Sequence, residues 1–72
     1  MKVHTASNKD ADKFKRLTRK TVASGVDVVH GTIDNQVKVK CYYFHAGMFT
    51  PGDAKKWLKA NKVHGFIFEE AK

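Results

Sequence analysis

Seventy-two residues carrying 14 Lys+Arg against 7 Asp+Glu give a formal net charge of +7. A chain of this length makes a single domain, 1–72, that buries roughly 60% of its unfolded surface, with a stability of about 3–5 kcal/mol when nothing staples it. A lone cysteine, Cys41, excludes an internal disulfide framework, no apolar run approaches the ~20 residues of a membrane span, and the Met-Lys-Val-His-Thr start does not read as a secretory signal. The expectation is a soluble, cytoplasmic protein.

Residues 1–6 read as a flexible lead-in or an edge strand. A first helix is expected from Asn8 to Ala23. Ser7 serves as its N-cap, and Asp10 stands three residues later in a variant of the capping box. Asp10 and Asp12 suit the positive end of the helix dipole, and Gly25 supplies a left-handed stop. Lys9, Lys13, Arg16 and Lys20 recur every three or four residues, so they share one outer ridge of that helix. Ala11, Phe14, Leu17, Thr18, Thr21 and Val22 form the face turned inward.

A hairpin follows. Val26 to Ile33 is rich in β-branched residues, Gln36 to Phe44 alternates, and Asp34-Asn35 between them tolerates positive φ. Zipping outward from that turn pairs Thr32 with Val37, His30 with Val39, Val28 with Cys41 and Val26 with Tyr43. This register puts Lys38, Lys40, Tyr42 and Phe44 on the opposite face, together with Val29 and Ile33. After a loop at His45–Met48, Thr50-Pro51-Gly52-Asp53 opens a second helix of about three turns, with Thr50 as cap and Pro51 in the first helical position. Ala54, Trp57, Leu58 and Asn61 face inward; Lys55, Lys56, Lys59 and Lys62 decorate the rest. Phe66 to Glu69 reads as a short closing strand, with Phe66 and Phe68 on one side and Ile67 on the other.

The expected fold is therefore α+β in the order α-β-β-α-β. It has a three-stranded sheet of order 2-1-3, antiparallel in the favoured arrangement, and both helices on one face. The second sheet face, bearing Lys38, Lys40, Tyr42, Val29, Ile33, Phe44 and Ile67, is left open. Three roles compete for it: a nucleic-acid platform on which Tyr42 and Phe44 stack bases, a dimer or partner interface, and an edge guarded against aggregation by its lysines.

Metal and catalytic readings find little support. Cys41 and His45 stand four residues apart, which on a strand is about 13 Å, too far to share one ion. His30 reads as a partly buried histidine, and Cys41 as an inert buried thiol. Asp10/Asp12 and Glu69/Glu70 have structural explanations at element ends, and no phosphate loop ends in Gly-Lys-Ser/Thr. Trp57 reads first as a core anchor. No enzyme activity, cofactor or metal is expected.

Phe49-Thr50, Ala54 and Trp57-Leu58 spell Phe-Thr-x-x-x-Ala-x-x-Trp-Leu. This segment resembles one found in tailed-bacteriophage proteins, some of them in the prohead-protease neighbourhood. There it follows a strand and opens a helix, and often runs on into His-Gly; here Asn61-Lys62-Val63 comes before His64-Gly65. No residue matches the protease's catalytic groups, so no activity carries over. The resemblance implies a small phage-encoded protein of the host cytoplasm that binds host factors or nucleic acid.

The function expected from the sequence is a non-enzymatic basic binding module. It contacts nucleic-acid phosphates, DNA or RNA, with low sequence specificity. Its candidate residues are Lys9, Lys13, Arg16, Lys20, Lys38, Lys40, Tyr42 and Phe44. The alternative is a protein-interaction module or inhibitor that binds an acidic host surface, as a monomer or a homodimer. No membrane partner is expected.

Overall fold

The computed structural model describes residues 2–71. The chain forms β1 (Val3–Ser7), a single 3-10 turn (Ala11–Lys13), β2 (Lys15–Ala23), β3 (Val26–Ile33), β4 (Gln36–His45), α1 (Pro51–Ala60) and β5 (Ile67–Glu69). All five strands join one antiparallel sheet of order β2-β3-β4-β1-β5. The expected α-β-β-α-β fold with three strands and two helices is thus corrected to a mostly-β domain with one α-helix.

The correction begins at Asn8–Ala23, where no α-helix forms. Ser7 does not cap; it pairs with Cys41 at the end of β1. The Asn8 side chain instead accepts from the Asp10 N–H (3.0 Å), and the chain makes only the short turn before entering β2. Lys-Arg-Leu-Thr-Arg-Lys-Thr-Val satisfies a period of 2 as readily as one of 3.6, and a strand partner decides between them. That partner is β3, which the hairpin at Ser24-Gly25 folds back alongside β2. Gly25 keeps the left-handed conformation expected of it (φ +76°), but in a hairpin rather than a helix stop. It must also be small, because a Cβ there would lie 2.9 Å from the Met48 sulfur.

The lead-in is also corrected. Val3–Ser7 is neither frayed nor at an edge; it lies between β4 and β5 and pairs with both. β4 and β5 are each antiparallel to β1, so they run parallel to one another. The β4–α1–β5 crossover therefore passes over β1, a split β-α-β unit around the earliest strand.

The hairpin between β3 and β4 forms as expected at its tip. Asp34 and Asn35 both take positive φ (51° and 62°), the geometry of a two-residue turn with the twist of the flanking strands. Thr32 pairs with Val37 and His30 with Val39. The register then shifts by one: Val29 meets Cys41, Val28 meets Tyr42 and Val26 meets Phe44. Lys40 is the extra residue of a β-bulge. Beyond it the alternation inverts, so Tyr42 and Phe44 turn toward α1, and Cys41 and Tyr43 toward the other face.

α1 begins as its sequence dictates. The Thr50 hydroxyl accepts from the Asp53 N–H (3.1 Å), and Pro51 occupies the first turn. Ala54 and Leu58 are buried against Ala6, Val26 and Phe44, ringed by Tyr42, Phe49, Trp57, Phe66 and Phe68. Ala6 and Ala54, both fully buried, let helix and sheet approach closely. Phe44 packs edge-on against Phe49 and Trp57, with ring centroids 5.4 and 5.6 Å apart. The other sheet face is partly covered as well. Phe14, Val29 and Cys41 are buried there, and the side chains of Phe14 and Leu17 close over Gly31.

Candidate functional site

Ten residues of helix span about 15 Å, whereas ten residues of strand span about 33 Å. α1 and β4 each have ten residues, so the helix covers only half of the β3–β4 ladder. The half toward the Asp34-Asn35 turn is left without a lid, and a groove opens beside the C-terminal end of α1.

The groove has two lobes. One, of about 400 Å³, is lined by Asn8, Lys38, Val39, Tyr42, Asn61, Lys62, Val63, His64 and Phe66. The other, of about 310 Å³, is lined by Val22, Val28, His30, Val39, Tyr42, Trp57 and Asn61. Val39, Tyr42 and Asn61 belong to both, so the lobes form one continuous depression. No carboxylate lines either lobe. Lys20 pairs with Val28 and flanks the second lobe from β2, while Lys62 borders the first; Lys38 pairs with Gly31, so its side chain turns toward the face that Phe14 and Leu17 cover.

The floor is held rigid by aromatic packing. The Tyr42 ring lies 5.5 Å from Trp57 and 5.7 Å from Phe66, both tilted. Burial pushes the Tyr42 phenol above its ordinary pKa, so its hydroxyl stays neutral at physiological pH. The Asn61 amide donates to the Trp57 carbonyl (2.8 Å) and closes the helix end. Lys62 continues the chain with φ +59° and its N–H bonded to the Lys59 carbonyl (3.1 Å). This turn holds Lys62 and His64 beside the groove.

The groove gathers part of the set expected from sequence. Tyr42 lines it, Lys20 flanks it, and Lys9 follows the lining residue Asn8, while the Lys38 side chain turns to the other face. Lys40 is the half-buried bulge residue, and its carbonyl accepts from the Asn8 N–H (2.7 Å). Lys13 and Arg16 lie elsewhere. Lys13 is in the 3-10 turn, 3.9 Å from the Asp10 carboxylate, and lines a separate hollow with Lys15 and Asp34. Arg16 sits in β2 at a register irregularity with φ +55°. The shared helical ridge therefore does not exist. Phe44 is fully buried and cannot stack a base; the bulge at Lys40 removed it from the surface.

Sequence reasoning missed Val39, Trp57, Asn61, Lys62 and His64 as site residues. The Asn-Lys pair just past the helix is the readable signal, since it marks a helix end where backbone groups and side chains turn outward. Lys38 and Lys40 do not guard an outer edge strand, because β4 lies between β3 and β1. That duty falls to β2, an edge strand with Lys15, Arg16, Arg19 and Lys20 and a register shift near each end.

The opposite face is organised around Asp27. Its carboxylate accepts from Thr21 (2.8 Å) and from Arg19 Nε (3.0 Å), and the Arg19 guanidinium lies 4.6 Å from the Tyr43 ring centroid. The Thr21 hydroxyl foremost, then Arg19, holds the Asp27 pKa below the usual carboxylate value. Tyr43 is raised, first by its hydrogen bond with the Cys41 side chain and then by burial.

Among the described residues no group of three His, Cys, Asp or Glu side chains is placed to hold a metal ion. No helix there is long and apolar enough to cross a membrane. Comparison with protein-family models, curated proteins and solved structures finds no match.

Proposed function

We propose that this domain binds nucleic acid through its phosphates, with low sequence specificity, and that the groove beside α1 is the contact surface. The observation that carries the reading is the composition of that groove: Lys20 and Lys62 flank an aromatic floor with no carboxylate among its lining residues. A net charge of +7 draws a polyanion toward the domain, and a rim free of acids lets it settle without like-charge repulsion.

The test is affinity for short DNA and RNA at two salt concentrations. The logarithm of the binding constant should fall linearly with the logarithm of salt, by about 0.7–0.9 per phosphate engaged. Combining Lys20→Glu with Lys62→Glu should weaken binding severalfold while leaving the circular dichroism spectrum unchanged. No detectable binding at low salt overturns the proposal.

An acidic protein surface is the second reading. It is favoured by the aliphatic lobe, where Val22 and Val39 offer a seat for an apolar side chain. The Phe49–Leu58 resemblance adds no weight to either, because each matched residue has a structural task. Phe49 packs on Phe44, Thr50 caps α1, Ala54 and Leu58 are buried, and Trp57 packs on Tyr42 and Phe44.

A further inference from the structure

Within the nucleic-acid reading, on which this step rests, we infer that the groove is a single-strand site: one unpaired base stacks against the Tyr42 region of the floor while Lys20 and Lys62 hold the flanking phosphates.

Shape is the first argument. A duplex presents a convex wall of phosphates and keeps its base faces stacked inside. A concave depression of two lobes, about 400 and 310 Å³, meets such a wall only at its rim. An unpaired nucleotide can instead turn its base inward. The chemistry of the floor fits that base. Tyr42 is common to both lobes, Trp57 and Phe66 hold its ring in place at 5.5 and 5.7 Å, and Val39 extends the apolar surface along β4. Stacking on such a platform is tolerant of sequence, since every base has a π-face.

The polar groups are arranged to match. Phosphates flanking a buried base project outward, toward the rim where the lysines stand. Asn61 spends one amide hydrogen on the Trp57 carbonyl. Its second amide hydrogen and its Oδ1 have no partner among the described residues, so both are free to meet a base edge at the junction of the lobes.

Trp57 is the sole tryptophan of the chain and lines the groove, so at constant fold its fluorescence responds to occupation of this site. The full-length protein is titrated at low salt with an oligo-dT strand, a duplex of equal length, inorganic polyphosphate and poly-glutamate. Trp57 emission and binding anisotropy are followed together. The expected result is that the nucleic acids and polyphosphate bind, but only the single strand perturbs Trp57. Tyr42→Phe keeps the ring and should retain the single-strand preference. Tyr42→Leu should lose about 5- to 150-fold in single-strand affinity, the range of one base–aromatic stack. Asn61→Asp, at an exposed position, places a carboxylate in the groove. It should weaken the single strand more than the duplex even if Tyr42→Leu does not fold.

Equal affinity for strand and duplex with unchanged Trp57 emission overturns the single-strand site and leaves nucleic-acid binding standing. Failure of every nucleic acid to bind overturns the underlying reading as well. A Trp57 response to poly-glutamate, with none to oligo-dT, assigns the groove to an acidic protein partner and also overturns the inference.

Discussion

Individual residues here are asked to satisfy several partners at once. His4 is the clearest case. Its Nδ1 accepts from the Ala71 N–H (2.9 Å), which leaves Nε2 to carry the hydrogen and donate it to the Phe49 carbonyl (2.9 Å). One side chain thus ties β1 to the loop before α1 and to the chain beyond β5, with its ring stacked on Phe68. Asp27 is similar on the opposite face, and its titration is predictable in sign. The carboxylate is favoured in the folded state, so the stability it contributes is present above its unfolded pKa of about 3.9 and is lost as pH falls through the lower folded value. Melting temperatures of the wild type and Asp27→Asn should therefore differ at neutral pH and converge below about pH 4. A gap that persists at pH 2 would show that the stabilisation does not come from the charged carboxylate.

At the scale of elements, close packing over Gly31 gives a direct prediction. A methyl group there would lie 2.9 Å from both Phe14 and Leu17 side chains and 3.1 Å from the Lys15 carbonyl. Gly31→Ala should cost about 1–3 kcal/mol through overpacking, read as a lower urea midpoint. An unchanged midpoint would mean that the cover over this face gives way freely. Elements whose signals are local were legible in the sequence: the Thr50-Pro51-Asp53 start of α1, the Asp34-Asn35 turn, and the opposed sides of Phe68 and Ile67. β2 was not, because its charged and threonine-rich run fits either period and only β3 resolves the choice. The bulge at Lys40 has no local signature either, yet it reverses the facing of every residue after it in β4. That one residue explains why Phe44 reads from sequence as a surface aromatic and folds as the centre of the core. The cations of the site were visible as cations, but their grouping depends on where α1 ends above the sheet.

Over the whole molecule, the hairpins β2–β3 and β3–β4 pair neighbouring segments, whereas both pairings of β1 join distant parts of the chain. β1 contacts residues about forty and sixty positions away, through β4 and β5. Such topology slows the search for the native state, so refolding followed by Trp57 fluorescence should occupy milliseconds to seconds. Recovery of the full native signal within microseconds would contradict the central placement of β1. The molecule's long axis of 34 Å matches a ten-residue strand rather than a ten-residue helix, and this mismatch of lengths is what leaves the groove uncovered.

The position of β1 also bears on how the protein is made. Val3–Ser7 leaves the ribosome before either of its neighbours exists. One of its edges stays unpaired until Cys41–His45 has been synthesised, and the other until Ile67–Glu69 follows. An unpaired edge is a template for another chain. The nascent protein is therefore most prone to aggregate in the interval between those two arrivals, when a nearly complete sheet still lacks its last strand.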